Sequence, residues 1–296
     1  MTGAERGFLL LSSHLGESRR KPLTTAQLRL LAERMHYGKR NLGERELNPS
    51  DLIAHGYGQE TANRIVSLLG DEDLLNYYLH KAQALGCTPV TRISDDYPLH
   101  LRKRLGLDSP GVLWARGEMS LLHLPMVSLV GSRELRDENW NFAAEVGKQA
   151  ALQGYVLVSG NARGADRTAQ EACLAAGGKV ISVVADELWK HPLRENVLYL
   201  SEDDFEEGFS AMRALSRNRV IHALGIVTFV AQAAFGTGGT WDGTVKNLRN
   251  QWSDVYGFAD GSNAMTELEQ MGLELIGMDD LAAFYDLPAS SHPKLV

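Results

Sequence analysis

The segment Ser159–Asp166, with the sequence SGNARGAD, constrains the fold of this chain more than any other segment. It follows the apolar run Val156–Val158, which is typical of a buried parallel strand. Residues 163–176 are rich in Ala, Leu, Glu and Gln and predict a helix. A strand, a glycine-containing turn and a helix direct backbone N–H groups at an anion, and Arg163 adds a cation suited to phosphate. The alternative is an ordinary strand-to-helix turn that needs glycine to reverse direction.

The same pattern recurs along the chain. Three further apolar runs predict buried strands at Met126–Val130, Gly178–Val184 and Gly225–Val230. Strands that alternate with helical segments predict an α/β fold with a doubly wound, Rossmann-like, mostly parallel sheet.

Glycine follows three of the four predicted strands, together with Ser, Thr or Arg. Gly131-Ser132-Arg133 follows the first strand, and a glycine-rich loop at 236–244 follows the last, with a helix predicted from Val245 to Gln251. Because ligands bind at the carboxyl ends of the strands in such sheets, we expect these turns to converge at one rim and bind an anion.

These segments resemble the DNA-processing protein A family (DprA, also called Smf). The resemblance rests on Val130–Arg133 (VGSR), Ser159–Asp166, Arg217–Arg219 (RNR) and Gly238–Thr240 (GGT), and on the lead-in Asp95–Leu101. It covers about 95–277 in the family's order. The chain departs from the family at Asn161, Ala165 and Gln170 and in the glycine-rich loop, which makes it a divergent member.

The resemblance implies a set of phosphate- and nucleic-acid-binding residues. They are Gly131, Ser132, Arg133, Ser159, Gly160, Arg163, Gly164, Asp166, Arg217, Asn218, Arg219, Gly238, Gly239 and Thr240. The alternative for Arg217–Arg219 is a solvated helix face. Asn218 speaks against this alternative, because Asn is a poor helix former and usually makes a specific hydrogen bond where it occurs in a helix.

Composition narrows the classes of function. No apolar run approaches the ~18 residues of a transmembrane helix, and no signal peptide is recognisable, so we expect no membrane partner. Cys87 and Cys173 lack the spacing of a disulfide framework, so we expect a reducing, cytoplasmic location. Two cysteines and nine histidines lack metal-ligand spacing, so we expect neither a metal site nor a cofactor. The net charge of −7 opposes bulk attraction to nucleic acid but allows a local basic groove.

The N-terminal part differs from the rest. Its helical patterns predict a small all-helical domain over 1–90, followed by the Rossmann-like domain over 91–296. The resemblance to the DprA family implies that this domain is similar to sterile-alpha-motif folds. Within it, Ile53–Gly58 resembles the hairpin of helix-hairpin-helix modules, and the alternative is a plain corner between two helices that needs glycine. The residues after Gly277 are too few for the winged-helix domain that many DprA-type proteins carry, so we expect none.

Two functions from different classes are consistent with these features. The resemblance implies a non-enzymatic single-stranded DNA-binding protein that forms a homodimer. It also implies a RecA-type recombinase as a partner, in DNA uptake and recombination. The alternative is a nucleotide-binding sensor, or a LOG-like nucleoside monophosphate phosphoribohydrolase from the wider superfamily, in a defence or regulatory setting. That hydrolase needs a glutamate where this chain has Val245, with Asp242 the nearest carboxylate, so we favour the binding function.

Overall fold

A computed structural model describes residues 1–37 and 47–287, and within these ranges nine strands form one sheet. The strands are β1 (Thr88–Thr91), β2 (Val112–Gly117), β3 (Met126–Val130), β4 (Val156–Ser159), β5 (Lys179–Val183), β6 (Val197–Ser201), β7 (Val227–Val230), β8 (Asp254–Phe258) and β9 (Glu274–Ile276). The α-helices are α1 (Gly3–Ser12), α2 (Thr25–Tyr37), α3 (Pro49–Ala54), α4 (Gln59–Gly70), α5 (Glu72–Ala84), α6 (Leu99–Leu105), α7 (Asp137–Leu152), α8 (Ala165–Ala175), α9 (Ala211–Ser216), α10 (Asn218–Leu224), α11 (Gly238–Asn250) and α12 (Asn263–Gln270). Residues 38–46 of the predicted helical domain and 288–296 of the tail lie outside the described residues.

The sheet is doubly wound, as the sequence predicts. Its order is β1-β2-β6-β5-β4-β3-β7-β8-β9. The strands from β3 to β9 pair in parallel, and β1 and β2 extend one edge in antiparallel pairing. The chain passes outward from β3 through β4 and β5 to β6, and then returns to the other side of β3 as β7. The direction of winding therefore reverses between β3 and β7.

Helices cover both faces of the parallel strands. Along β4, Val156 and Val158 lie in the apolar cluster that includes residues of α6, α10, α11 and α12, whereas Leu157 lies in the cluster with α7 and α8. This alternation follows from the two-residue period of a strand, and burial on both faces explains the nearly continuous apolar sequence.

The N-terminal helices divide between two apolar clusters. α1 and α5 pack on the antiparallel side of the sheet, where the Tyr78 ring meets Trp114 of β2 at 5.6 Å between centroids. α2, α3 and α4 form a separate cluster around Leu52 and Ile65. The predicted boundary at residue 90 falls within β1, and the division into two domains stays a prediction.

The start of α2 matches the capping pattern in its sequence. The Thr24 hydroxyl accepts a hydrogen bond from the Gln27 N–H at 3.3 Å, and the Gln27 side chain accepts one from the Thr24 N–H at 3.1 Å. Among the helices of the described residues, none has the length and apolar character needed to span a membrane.

Close contact between α7 and α8 depends on Gly147. A Cβ atom at this position would overlap the carbonyl oxygen of Ala169 in α8. We expect Gly147→Ala to lower the free energy of unfolding by about 1–3 kcal/mol, because the two helices must separate. In contrast, a Cβ atom at Gly7 in α1 would meet no atom within 4 Å. Gly7→Ala should therefore raise the free energy of unfolding by about 0.5–1 kcal/mol, because Ala has the higher helix propensity. Urea unfolding of both variants checks this, and equal stabilities for the two would contradict the packing.

Candidate functional site

A cleft opens where the direction of winding reverses. β3 and β7 lie side by side there, and two adjoining pockets of about 510 and 420 Å³ lie beyond their carboxyl ends. The larger pocket is lined by Gly131–Arg133 after β3, by Ala162 and Asp166, and by Gly238–Thr240. The smaller pocket is lined by the turn after β4 and by Val184–Asp186 after β5. We call the two pockets together the cleft, and the three predicted turns converge on it.

Hydrogen bonds connect the segments that form the cleft. The Ala165 N–H donates to the Ser132 carbonyl at 3.1 Å, and the Ser132 N–H donates to the Gln232 carbonyl at 2.9 Å. The Asn218 side chain donates to the Gly239 carbonyl at 3.0 Å, which joins α10 to the start of α11. The turns after β3, β4 and β7 are therefore held together by the protein itself.

Two of the glycines permit the turns to touch. A Cβ atom at Gly131 would overlap the side chain of Ala165. Gly164 has a φ of +87°, and a Cβ atom there would lie 2.5 Å from the Ser132 carbonyl oxygen. Both positions thus need glycine so that the two turns can approach each other. This requirement is structural and does not depend on which ligand binds.

Arg217 is the buried cation of the cleft. Its side chain lines both pockets, the residue is only 7% exposed, and its Nε has no hydrogen-bond partner. The guanidinium lies against the α-carbon of Gly160, so that any Cβ atom at Gly160 would overlap it. Burial lowers the pKa of Arg217 and raises the pKa of the nearby Asp166, while the attraction between the two charges opposes both shifts.

Asp166 and Ser159 shape the turn after β4. The Asp166 carboxylate accepts a hydrogen bond from the Ala162 N–H at 3.1 Å and so closes the turn from inside. The Ser159 hydroxyl is fully buried and accepts a hydrogen bond from Gln170 at 2.6 Å. Gln170 also donates to the Ser182 hydroxyl at 3.2 Å, so this departure from the family sequence connects β4 with β5.

Gly238–Thr240 forms the first turn of α11, which corrects the prediction of a loop up to Val245. Thr237 has extended backbone and precedes the helix, and Gly238 enters it with a φ of +86°. The Thr237 side chain makes no capping hydrogen bond. The first N–H groups of a helix lack intrahelical acceptors, so this end of α11 presents donors and a positive dipole to the cleft.

The remaining arginines divide between two locations. Arg133 and Arg163 are exposed and line the smaller pocket. Arg219 lies elsewhere: it pairs with Glu202 at 2.6 Å and donates to the Asp108 carbonyl at 3.0 Å. Arg219 does not line either pocket, so the structure separates it from the other predicted site residues.

Phe209 and Asp186 line the cleft but belong to none of the predicted motifs. Phe209 is 60% exposed and lines both pockets, and Asp186 lines the smaller pocket. The only sequence signal for Asp186 is its position just after a predicted strand, where a parallel sheet presents residues to a ligand. Phe209 had no such signal.

Charges of both signs line the cleft. Its cations are Arg133, Arg163 and Arg217, and its carboxylates are Glu134, Asp166 and Asp186. The charged side chains of the cleft therefore balance. An anion is attracted only locally, at the positions of the arginines and of the α11 N-terminus.

Comparison with known proteins identifies the family. The family model for DNA recombination-mediator protein A matches residues 88–257, which is more than half of the chain. The chain belongs to this family. One relative is the DNA processing protein DprA of Streptococcus pneumoniae, which is 31% identical to this chain over 212 residues. The match covers 66% of this chain and 74% of that protein.

Two solved structures of DNA processing protein A share the fold. The X-ray structure of the Streptococcus pneumoniae protein has a TM-score of 0.65 at 23% identity and covers 86% of this chain and 95% of that one. The Helicobacter pylori protein, solved to describe its single-stranded DNA binding mode, has a TM-score of 0.54 at 22% identity and covers 66% and 92%.

A buried histidine lies beneath the first turns of α11. His222 of α10 accepts a hydrogen bond at Nδ1 from the Asn247 side chain, at 3.0 Å. Burial lowers the pKa of His222 to about 3, because the interior disfavours the imidazolium. The unfolded chain therefore takes up a proton near pH 6.5 that the folded chain excludes down to about pH 3.

We expect this difference to reduce stability as the pH falls below about 6.5, by up to about 1.4 kcal/mol per pH unit. His222→Gln should flatten the dependence of the unfolding free energy on pH between about 6.5 and 5, above the range where carboxyl groups dominate. The exposed His80 is the matched control, and His80→Gln should leave the slope unchanged. Urea unfolding at several pH values measures this slope. An unchanged slope in His222→Gln would contradict the conclusion that His222 is buried in its neutral form.

Proposed function

We propose that this protein binds single-stranded DNA in the cleft and acts in DNA processing and recombination. The observation that carries the proposal is the convergence of the three turns and the buried Arg217 at the reversal of the sheet. Family membership supports it, as does the single-stranded DNA binding described for the Helicobacter pylori protein.

The proposed contacts to phosphate come from three sources. The N-terminus of α11 supplies backbone donors, Arg133 supplies an exposed guanidinium, and Arg217 supplies a guanidinium that lines both pockets. Charge-assisted hydrogen bonds to phosphate are stronger than neutral ones, and backbone contacts of this kind do not depend on base sequence. We therefore expect little sequence preference from these three contacts.

Preference for a single strand would come from an exposed aromatic ring. Phe209 borders both pockets and is 60% exposed, so its ring is available to an unpaired base. Stacking of bases on aromatic side chains is the usual complement to backbone contacts in proteins that bind single strands, and a paired base in a duplex cannot stack in this way.

The nucleotide-hydrolase alternative receives less support. Asp242, the carboxylate nearest to the position of the catalytic glutamate of LOG-like hydrolases, pairs with Lys246 one helical turn along α11 at 2.7 Å. It does not line either pocket, and Val245 packs against an apolar cluster. Competition by a free nucleoside monophosphate tests a sensor function, and release of ribose phosphate tests hydrolysis.

Further parts of the proposal rest on family resemblance. These are a homodimer, a RecA-type recombinase as partner, and a cytoplasmic location. Sedimentation of the purified chain tests the dimer, and co-purification with a recombinase in the presence of single-stranded DNA tests the partner.

The contact from Arg133 gives the first test of the proposal. Arg133→Ala should weaken binding of a labelled single strand of about 20 nucleotides by about tenfold, because a charge-assisted phosphate contact is lost. Fluorescence anisotropy at about 50 and 200 mM salt measures the affinity, which should fall steeply with salt in the wild type.

Arg249→Ala provides the control. Arg249 is exposed near the end of α11 and does not line the cleft, so its removal changes the net charge equally and should leave affinity within about twofold. An equal loss of affinity in both variants would show that binding depends on overall charge and not on a specific site. Tight binding of a free mononucleotide without DNA binding would favour the sensor.

A further inference from the structure

One wall of the cleft carries a carboxylate beside the cations. Asp186 follows β5 and lines the smaller pocket together with Arg163 and Arg217. In a cleft that binds phosphate, a carboxylate has a cost, because it repels the anion that the arginines attract. Its presence among the lining residues therefore needs a function of its own or a structural reason.

A stacked histidine holds the carboxylate in place. His191 Nε2 lies 2.8 Å from Asp186 Oδ1, and the His191 ring stacks on Tyr199 of β6, with 4.8 Å between centroids and 24° between planes. The His191 side chain is only 13% exposed, whereas the Asp186 side chain is 45% exposed. One oxygen of Asp186 is thus held by a mostly buried partner, and the side chain remains open to the cleft.

The charge state of Asp186 follows from this contact. The hydrogen bond with His191 is the main cause that lowers the pKa of Asp186 below its usual value, and burial acts in the opposite direction. The group is therefore an ionised carboxylate at neutral pH. An ionised carboxylate only accepts hydrogen bonds, so its complement on a nucleotide is an uncharged donor.

We propose that Asp186 determines specificity in the cleft by accepting a hydrogen bond from a neutral donor of the bound nucleotide. The phosphate lies toward Arg133 and the start of α11, and the donor lies toward Asp186. Nucleotides offer such a donor as a base amino group, which Asp and Glu accept from cytosine, or as the 2′-hydroxyl of RNA. The inference rests on the proposed binding of single strands.

Three labelled strands of equal length separate the two donors. The uracils of both uracil strands carry a methyl group on N3, which removes the N3–H donor of the base. Oligo-dU then has neither a base donor nor a 2′-hydroxyl, oligo-dC offers the amino group, and oligo-rU adds the hydroxyl. We expect the wild type to bind oligo-dC or oligo-rU about fivefold more tightly than oligo-dU, as one well-placed hydrogen bond to a base or sugar allows. The strand that shows the preference identifies the donor.

Asp186→Ala should abolish that preference while single-strand binding persists, and should raise affinity for oligo-dU because the repulsive charge is gone. Glu187→Ala is the matched control: it removes the neighbouring carboxylate, which pairs with Lys190 at 2.7 Å and does not line the cleft. It should keep the preference. Thermal unfolding confirms that both variants fold.

Two results would overturn the inference without affecting the proposed function. They are equal affinities of the wild type for all three strands, and a preference that survives Asp186→Ala. If the wild type binds none of the strands, the proposed function fails and this inference fails with it.

Discussion

The contact between the Arg217 guanidinium and the backbone at Gly160 is the constraint on which the cleft depends. A buried cation is costly unless it is paired, and here Asp166 supplies the opposite charge while also closing the turn after β4. The space for the guanidinium exists because residue 160 has no side chain. One glycine, one arginine and one aspartate from two segments thus determine where a positive charge lies at the rim.

The fold explains why these segments meet. In a doubly wound sheet the chain leaves β3 in one direction and returns as β7 on its other side, so the connections after the two strands diverge and leave a crevice. The N-terminus of α11 faces this crevice because α11 follows β7 directly. Asn218 then joins α10 to the first turn of α11, which sets the position of the backbone donors.

The sequence predicts the parts of the structure that are determined locally. Apolar runs predict β3, β4, β5 and β7, and the glycine turns after β3, β4 and β7 do converge. The short β1 and β9 have little pattern to detect, and the start of α11 at Gly238 depends on tertiary contacts that overcome the poor helix propensity of glycine. Arg217 and Arg219 are two residues apart, and positions with that spacing do not share a helix face, so the motif alone cannot show that only Arg217 lines the cleft.

The balance of charge in the cleft bears on how an acidic protein would hold a polymer. The chain carries a net charge of −7, and the cleft is lined by three arginines and three carboxylates. A cleft of this kind offers a few directed phosphate contacts and little long-range attraction, so under the proposed function we expect one cleft to bind a strand with modest affinity. In the proposed homodimer, a strand long enough to span both clefts would bind much more tightly, because the second contact is intramolecular. Dimerisation would therefore set the affinity for a polymer, while the geometry within one cleft would set what kind of nucleotide it accepts.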